Sequence, residues 1–143
     1  MDDLDQKLIK FYLEDSRLSF SEIAAKLDAD ASTVRRRTNK LVKEGILDFR
    51  AETNPDLIGY PVQTYLAIRV APGQNGIVRR ALMSQENVRY ARAISGQFDI
   101  LALVWFESNA AIYQFLENVI GKIDGVREVQ PFICLTKSKE FKK

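Results

Sequence analysis

The 143-residue chain is 46% hydrophobic and 10% aromatic, which suffices for one packed domain or two small ones and excludes an unfolded polar segment. Its 21 Lys+Arg and 19 Asp+Glu leave a formal net charge of +2, so attraction to a polyanion has to come from a local patch. The single cysteine, Cys134, allows no intramolecular disulfide and fits a reducing compartment, and the absence of histidine removes the side chain most used for acid–base chemistry and metal ligation, so no catalytic residue, metal site or cofactor is expected.

In chain order, the apolar residues recur at three- and four-residue spacings up to about Gly45 and alternate or run continuously from Val62 onward, so the period changes from helical to strand-like. The spacing predicts a first helix with Leu4, Leu8, Phe11 and Tyr12 on one face and Asp2 or Asp3 as its cap. A second helix opens at "SFSE", where Ser19 and Glu22 have capping-box spacing, and continues through Ile23, Ala24 and Leu27. A third starts after Asp30, again a cap residue, and ends near Gly45, which can take the positive φ of a C-terminal cap. The short gap between the second and third helices is that of a helix-turn-helix. The following stretch, "ILDFRAETNPDLIGYP", reads as a short hairpin and a linker.

The third helix, "STVRRRTNKLVKEG", carries Arg35, Arg36, Arg37, Lys40 and Lys43 and no acid before Glu44. At about 100° per residue, Thr38, Leu41 and Val42 share a face with Val34 and pack inward. Ser32, Arg36, Asn39, Lys40 and Lys43 look outward, Arg35 flanks them, and Arg37 lies at the border. For this helix in isolation, a solvated basic face and a polyanion-binding face are equally good readings. The helix-turn-helix setting favours DNA, because the outward face of the second helix of that motif enters the major groove.

The run from Ser19 to Tyr60 resembles the winged helix-turn-helix of the Lrp/AsnC family of transcription regulators. The resemblance rests on Ile23, Ala24, Leu27, Val34, Arg37, Leu41, Gly45, Ile46, Asn54, Pro55 and Gly59. Thr38 departs from the family's aliphatic core residue, and Asp48 places an acid in the wing. The resemblance implies double-stranded DNA as partner. Ser32 and Thr33 are then expected near phosphates, Arg35, Arg36, Asn39 and Lys40 at base edges or phosphates, and Lys43 beside them; Arg37, also among the expected DNA-binding residues, is expected to fix the helix against the backbone or the wing. The expected divisions are a winged helix-turn-helix over 1–50, the wing end and linker over 51–61, and a second domain over 62–143.

The second half reads as two similar βαβ units. The first runs from "VQTYLAIRVA" through a helix at about Gly76 to Gln85 to the strand "VRYARAIS"; the second runs from "DILALVWFE" through a helix from Asn109 to Lys122 to "VREVQPFICL". Similar lead-ins, "ENVRYA" and "DGVREV", mark a weak repeat. The whole is expected to be α+β, with a ferredoxin-like βαββαβ sheet (the ACT-like RAM domain of the family) carrying two helices on one face. The other face is expected to be apolar, with Leu66, Ile68, Leu101 and Leu103 as candidates, and a homodimer would cover it. The resemblance implies further assembly to an octamer.

The turn "SGQFDI" matches the family's Gly-x-(Tyr/Phe)-Asp motif at Gly96, Phe98 and Asp99. The resemblance makes Ser95, Gly96, Gln97, Phe98 and Asp99 the candidate effector site for an amino acid, with Asp99 holding the ammonium. Glycine and aspartate are equally at home in an ordinary turn. Pro131 stands where the family has a threonine and predicts a bulge or edge there. Cys134 and Trp105 read as core residues.

The longest apolar run, Ile100 to Phe106, falls far short of the roughly 20 residues of a membrane span, and no leader-like pattern opens the chain, so a cytoplasmic protein with no membrane partner is expected. The expected function is a sequence-specific regulator acting through the helix at 31–44 and modulated by an amino acid. The alternative is an architectural protein that wraps DNA with little preference. Siroheme decarboxylases resemble the same family and rely on histidine, so no enzyme is expected here.

Overall fold

A computed structural model describes residues 1–136; residues 137–143, the end of the expected second domain, lie outside the described residues. The chain divides into two compact units, Met1–Glu52 and a second beginning at Thr53. The first holds α1 (Asp3–Glu14), α2 (Phe20–Leu27) and α3 (Ala31–Lys43). Asp2 caps α1 by accepting the Asp5 amide at 3.0 Å while the Asp5 carboxylate accepts the Asp2 amide at 3.2 Å. Ser19 and Glu22 form the same reciprocal box on α2, so orphan amides at both helix starts find carboxylate or hydroxyl partners. Asp30 stands at the start of α3, but its side chain makes no capping bond.

The end of α3 is closed by the backbone. Gly45 adopts φ 70, its amide reaches the Val42 carbonyl at 3.0 Å, and the Ile46 amide reaches Leu41 at 2.9 Å. These paired bonds are a Schellman cap, which a residue without Cβ enters at little cost. Leu8, Tyr12, Ile23, Ala24, Val34 and Leu41 form the core of this unit. Val42, expected to face inward, is 42% exposed, because it lies at the rim of the buried stripe of α3. The expected hairpin is not formed: residues 46–54 carry no strand. A ribbon of two very short strands has too few bonds to order its own backbone. A one-turn 3-10 helix, Pro55–Ile58, follows, its start capped by the Asn54 side chain.

The second unit contains β1 (Val62–Val70), α4 (Asn75–Met83), β2 (Val88–Ala93), β3 (Ile100–Phe106), α5 (Asn109–Asn118), a 3-10 turn at Ile120–Lys122 and β4 (Val126–Ile133). The strands form an antiparallel sheet in the order β2-β3-β1-β4, the ferredoxin-like arrangement. Val78 and Leu82 of α4 and Ile112 and Phe115 of α5 pack with Leu66, Ile68, Ile100, Ala102, Val104 and Phe106, so both helices cover one face. Leu66 and Ile68 therefore belong to the helix-covered core, not to the open face as expected. The register places Tyr65 opposite Leu103 and Phe132, Ala67 opposite Leu101, and Gln63 opposite Trp105 on the other face. The difference is one of side: alternation along β1 separates Leu66 and Ile68 from Tyr65 and Ala67, but only the packing of α4 and α5 says which of the two faces is covered.

Pro131 lies on the edge strand β4, where a missing amide interrupts nothing further out. The register irregularity of that pair falls at Arg69/Val70, away from the proline. Cys134 is exposed just beyond β4, contrary to its expected place in the core. Trp105 is half-buried on the open face, with the Arg89 guanidinium 4.2 Å above its ring. Gly125 has φ 94, and a Cβ there would lie 2.7 Å from that of Gln74. Gly125→Ala is expected to lower the unfolding free energy by about 2 kcal/mol, backbone strain and overlap acting together, as measured by urea titration.

Candidate nucleic-acid interface and effector turn

α3 separates its side chains cleanly. Val34, Thr38 and Leu41 are buried, whereas Ser32, Arg35, Arg36, Asn39, Lys40 and Lys43 are exposed and Thr33 is half-buried. Among the exposed cations, Lys40 has one weak partner, Glu44 at 3.8 Å with both side chains about half exposed. Arg35, Arg36 and Lys43 have no carboxylate within ion-pair distance among the described residues. Their donors are available to a phosphate or a guanine edge.

Arg37 departs from this group. Its Nη1 donates to Asp2 Oδ2 at 2.6 Å and to Asp5 Oδ1 at 3.1 Å, and its side chain is only 24% exposed. The Asp5 side chain is 3% exposed, so this is a desolvated carboxylate held by a guanidinium. The border position of Arg37 thus resolves towards α1, whose first turn the guanidinium meets. Thr38, next along, meets the same helix further on: its Oγ1 lies 3.1 Å from the Tyr12 hydroxyl in a buried contact. Phe49 stands edge-on to Tyr12 at 5.0 Å, fastening the segment after α3 to the same ring. Sequence reasoning finds none of these partners. The available signal is the pair of acids Asp2 and Asp5 in front of a basic helix, but its distance in sequence hides the contact.

In the second unit, the turn between β2 and β3 presents Ser95, Gly96 and Gln97 as exposed and Phe98 and Asp99 as half-buried. Gly96 takes φ 127. Asp99 is tied down on several sides. Its Oδ2 accepts the Val70 amide at 2.8 Å, its amide donates to Ile68, and its carbonyl accepts from Asn75 Nδ2 at 3.0 Å and from the Ile94 amide. The Arg69 guanidinium lies 5.7 Å from the centre of the Phe98 ring. The amides of Gly96, Gln97 and Phe98 make no hydrogen bond among the described residues. The turn therefore offers donors more readily than it offers a carboxylate.

A three-helix unit with a basic, outward-facing third helix, joined to a separate ferredoxin-like unit, defines a helix-turn-helix regulator with an appended ligand domain. Residues 1–48 match the family model for winged helix-turn-helix DNA-binding domains, and residues 63–143 match the model for the Lrp/AsnC ligand binding domain. The HTH-type transcriptional regulator LrpA of Pyrococcus horikoshii is 33% identical over 140 residues, covering 97% of this chain and 99% of the relative. An HTH-type regulator from Pyrococcus furiosus is 34% identical over 140 residues, covering 97% and 95%. In fold, the chain matches Escherichia coli AsnC with a TM-score of 0.87 at 24% identity, covering 96% and 93% of the two chains. It also matches a Neisseria meningitidis transcriptional regulator in complex with L-Met, with a TM-score of 0.87 at 20% identity over 97% and 92%. The chain belongs to the Lrp/AsnC family of DNA-binding transcriptional regulators. Among the described residues no helix is long and apolar enough to cross a membrane.

The caps of the first unit make its stability depend on acid. The Asp5 amide first, then the Arg37 guanidinium, holds the Asp2 carboxyl below its usual 3.8, and the Ser19 hydroxyl and amide hold Glu22 below its usual 4.5. A carboxyl whose pKa is lowered on folding stabilises the native state above its unfolded pKa and loses that contribution as pH falls through the folded one. Stability measured by urea titration is therefore expected to be flat near neutrality and to decline from about pH 4.5 downward. Asp2→Asn with Glu22→Gln should flatten the decline.

Proposed function

We propose that the exposed face of α3 is the DNA-reading surface, with Arg35, Arg36, Asn39 and Lys40 at base edges or phosphates, and Ser32, Thr33 and Lys43 at the backbone. The observation that carries it is the segregation along α3: every exposed basic side chain falls on one side and the buried Val34, Thr38 and Leu41 on the other. Only outward donors can satisfy base acceptors in the major groove, with arginine suited to guanine and asparagine to adenine. Arg36→Ala and Lys40→Ala should each weaken binding to a duplex selected from a random library while leaving the thermal melt unchanged. Each lost phosphate contact should reduce the salt slope by about one, and a lost base contact should cost about 1–3 kcal/mol on the selected site. Unaltered affinity and slope in both variants would dismiss α3 as the reading element. Equal affinity of the native chain for selected and random duplexes would replace sequence-specific control by architectural wrapping.

The ligand domain is proposed to work as a homodimer or a higher assembly such as an octamer, through the sheet face bearing Tyr65, Leu101, Leu103 and Phe132, because an exposed apolar sheet face calls for a cover. An amino-acid effector is proposed at Ser95–Asp99, its carboxylate taken by the unengaged amides of Gly96, Gln97 and Phe98. The Neisseria regulator forms a complex with L-Met, which makes amino acids the first class to try on this chain. Light scattering at micromolar concentration, alone and with each of the twenty amino acids, tests both. A dimer or larger species whose mass responds to one amino acid is expected, and a stable monomer would refute the assembly. Asp99→Asn keeps an oxygen for the Val70 amide and should preserve the assembly while weakening the response if the aspartate charge meets the ammonium group.

A further inference from the structure

We propose that Arg37 and Thr38 do not touch DNA but set the roll of the reading helix, by anchoring α3 to two separate points on α1. This rests on α3 being the DNA-reading element. An apolar interface is non-directional and tolerates small rotations and slides between helices, whereas a hydrogen bond loses its strength when donor and acceptor move out of line. α3 turns two consecutive side chains of the second kind towards α1. Arg37 Nη1 reaches Asp5 at 3.1 Å and Asp2 at 2.6 Å at the first turn of α1. Thr38 Oγ1 meets the Tyr12 hydroxyl at 3.1 Å.

Asp5 and Tyr12 lie about 10 Å apart along the axis of α1, at about 1.5 Å per residue. With one such contact only the apolar packing of Val34 and Leu41 would resist a pivot about it, and two contacts separated along α1 oppose that pivot directly. Asp5 makes the first contact costly to break, since its carboxylate is 3% exposed and has the Arg37 guanidinium as its ionic partner. Phe49 packs edge-on against Tyr12 at 5.0 Å and extends the same reference to the segment after the helix. Neighbouring positions on α3 differ by about 100°, so even a modest roll would carry Arg36 or Asn39 away from a base edge.

The test compares affinity for a selected duplex with affinity for a random one over a series of salt concentrations. Loss of stability alone lowers both affinities by the same folded fraction, and loss of a phosphate contact lowers the salt slope by about one. A positioning residue changes neither of these and lowers the ratio of the two affinities. Asp5→Asn/Arg37→Gln keeps the net charge, and Tyr12→Phe/Thr38→Val keeps the packing volume while removing both hydroxyls. Each pair is expected to cut the ratio about fivefold or more, the scale of one misread base pair, at unchanged slope. Asp2→Asn/Asp5→Asn should reproduce much of the effect of Arg37→Gln alone, since the two changes together remove both carboxylates that hold the guanidinium.

If the charged pair fails to fold, the hydroxyl pair carries the test. A ratio unchanged in the folded variants overturns the proposal. So does a slope lowered by about one in Arg37→Gln with Asp2→Asn/Asp5→Asn left at the native ratio, because Arg37 would then be a phosphate ligand. A native chain that prefers no duplex would instead remove the reading surface on which the proposal rests.

Discussion

The contact between the Arg37 guanidinium and the buried Asp5 carboxylate is the constraint that organises the first unit. A carboxylate with so little exposure needs a cationic partner, and the partner must come from a neighbouring element, because the nearest cations on α1 point to solvent: Lys7, for one, is engaged with Asp3. Supplying that charge from α3 fixes which of three consecutive arginines turns inward. Arg36 and Arg35 are left outside by helical geometry alone, about 100° and 200° round the axis from Arg37. The same contact engages the α1 cap, since Asp2 accepts both the Asp5 amide and the Arg37 guanidinium. One cluster therefore closes a helix end, neutralises a buried charge and sorts a basic run into an inward and an outward part.

The second unit is organised by a different constraint, the central place of β1. Hydrogen-bonded to β3 on one side and β4 on the other, β1 has its backbone groups satisfied by two partners and its Leu66 and Ile68 buried beneath both helices. The end of β1 is where the ladder turns irregular, at Arg69/Val70, and the Asp99 carboxylate takes up the Val70 amide there. The turn that resembles an effector motif thus also finishes the sheet. That double duty explains why a glycine–aspartate turn need not announce a ligand, and why its unengaged amides, not its acid, are the feature that points to one.

What can be read in the sequence follows the range of the interactions involved. Ser19 and Glu22 are legible because a capping box is local, and Gly45 because a Schellman cap closes within a few residues. The βαββαβ order is legible from period and spacing, and the family resemblance adds where a glycine–aspartate turn falls. The absence of a hairpin after α3 is not, since turn residues in a flexible stretch look alike whether or not strands pair across them. Leu66 and Ile68 fall on the wrong face in a sequence reading because alternation along β1 separates two faces without saying which of them the helices cover. Arg37 is grouped with the outward basic residues of α3 in a sequence reading because its angle on the helix is ambiguous, and only a contact 32 residues away decides it. Cys134 escapes a sequence reading because burial statistics for cysteine say nothing about whether the chain has already left its strand.

The distribution of charge gives the outward face its importance. α3 holds five of the 21 Lys+Arg and none of the 19 Asp+Glu, so the rest of the chain is net acidic and would by itself repel a polyanion. At physiological salt, charges more than about 8 Å apart in solvent are largely screened, and attraction is decided by the side chains that come within contact range of the phosphates. Of the five, Arg37 has its charge compensated by Asp2 and Asp5, and Lys40 is loosely shared with Glu44. Arg35, Arg36 and Lys43 keep their charge without a carboxylate partner among the described residues, so the attraction a phosphate meets at this helix comes from its outward side. On the reading proposed for α3, affinity beyond that attraction comes from aimed polar contacts to bases, from several such helices on one duplex, or from both. On that same reading a fixed orientation of α3 matters beside its charge, because a base contact, unlike attraction to phosphate, is lost when the donor is misaimed.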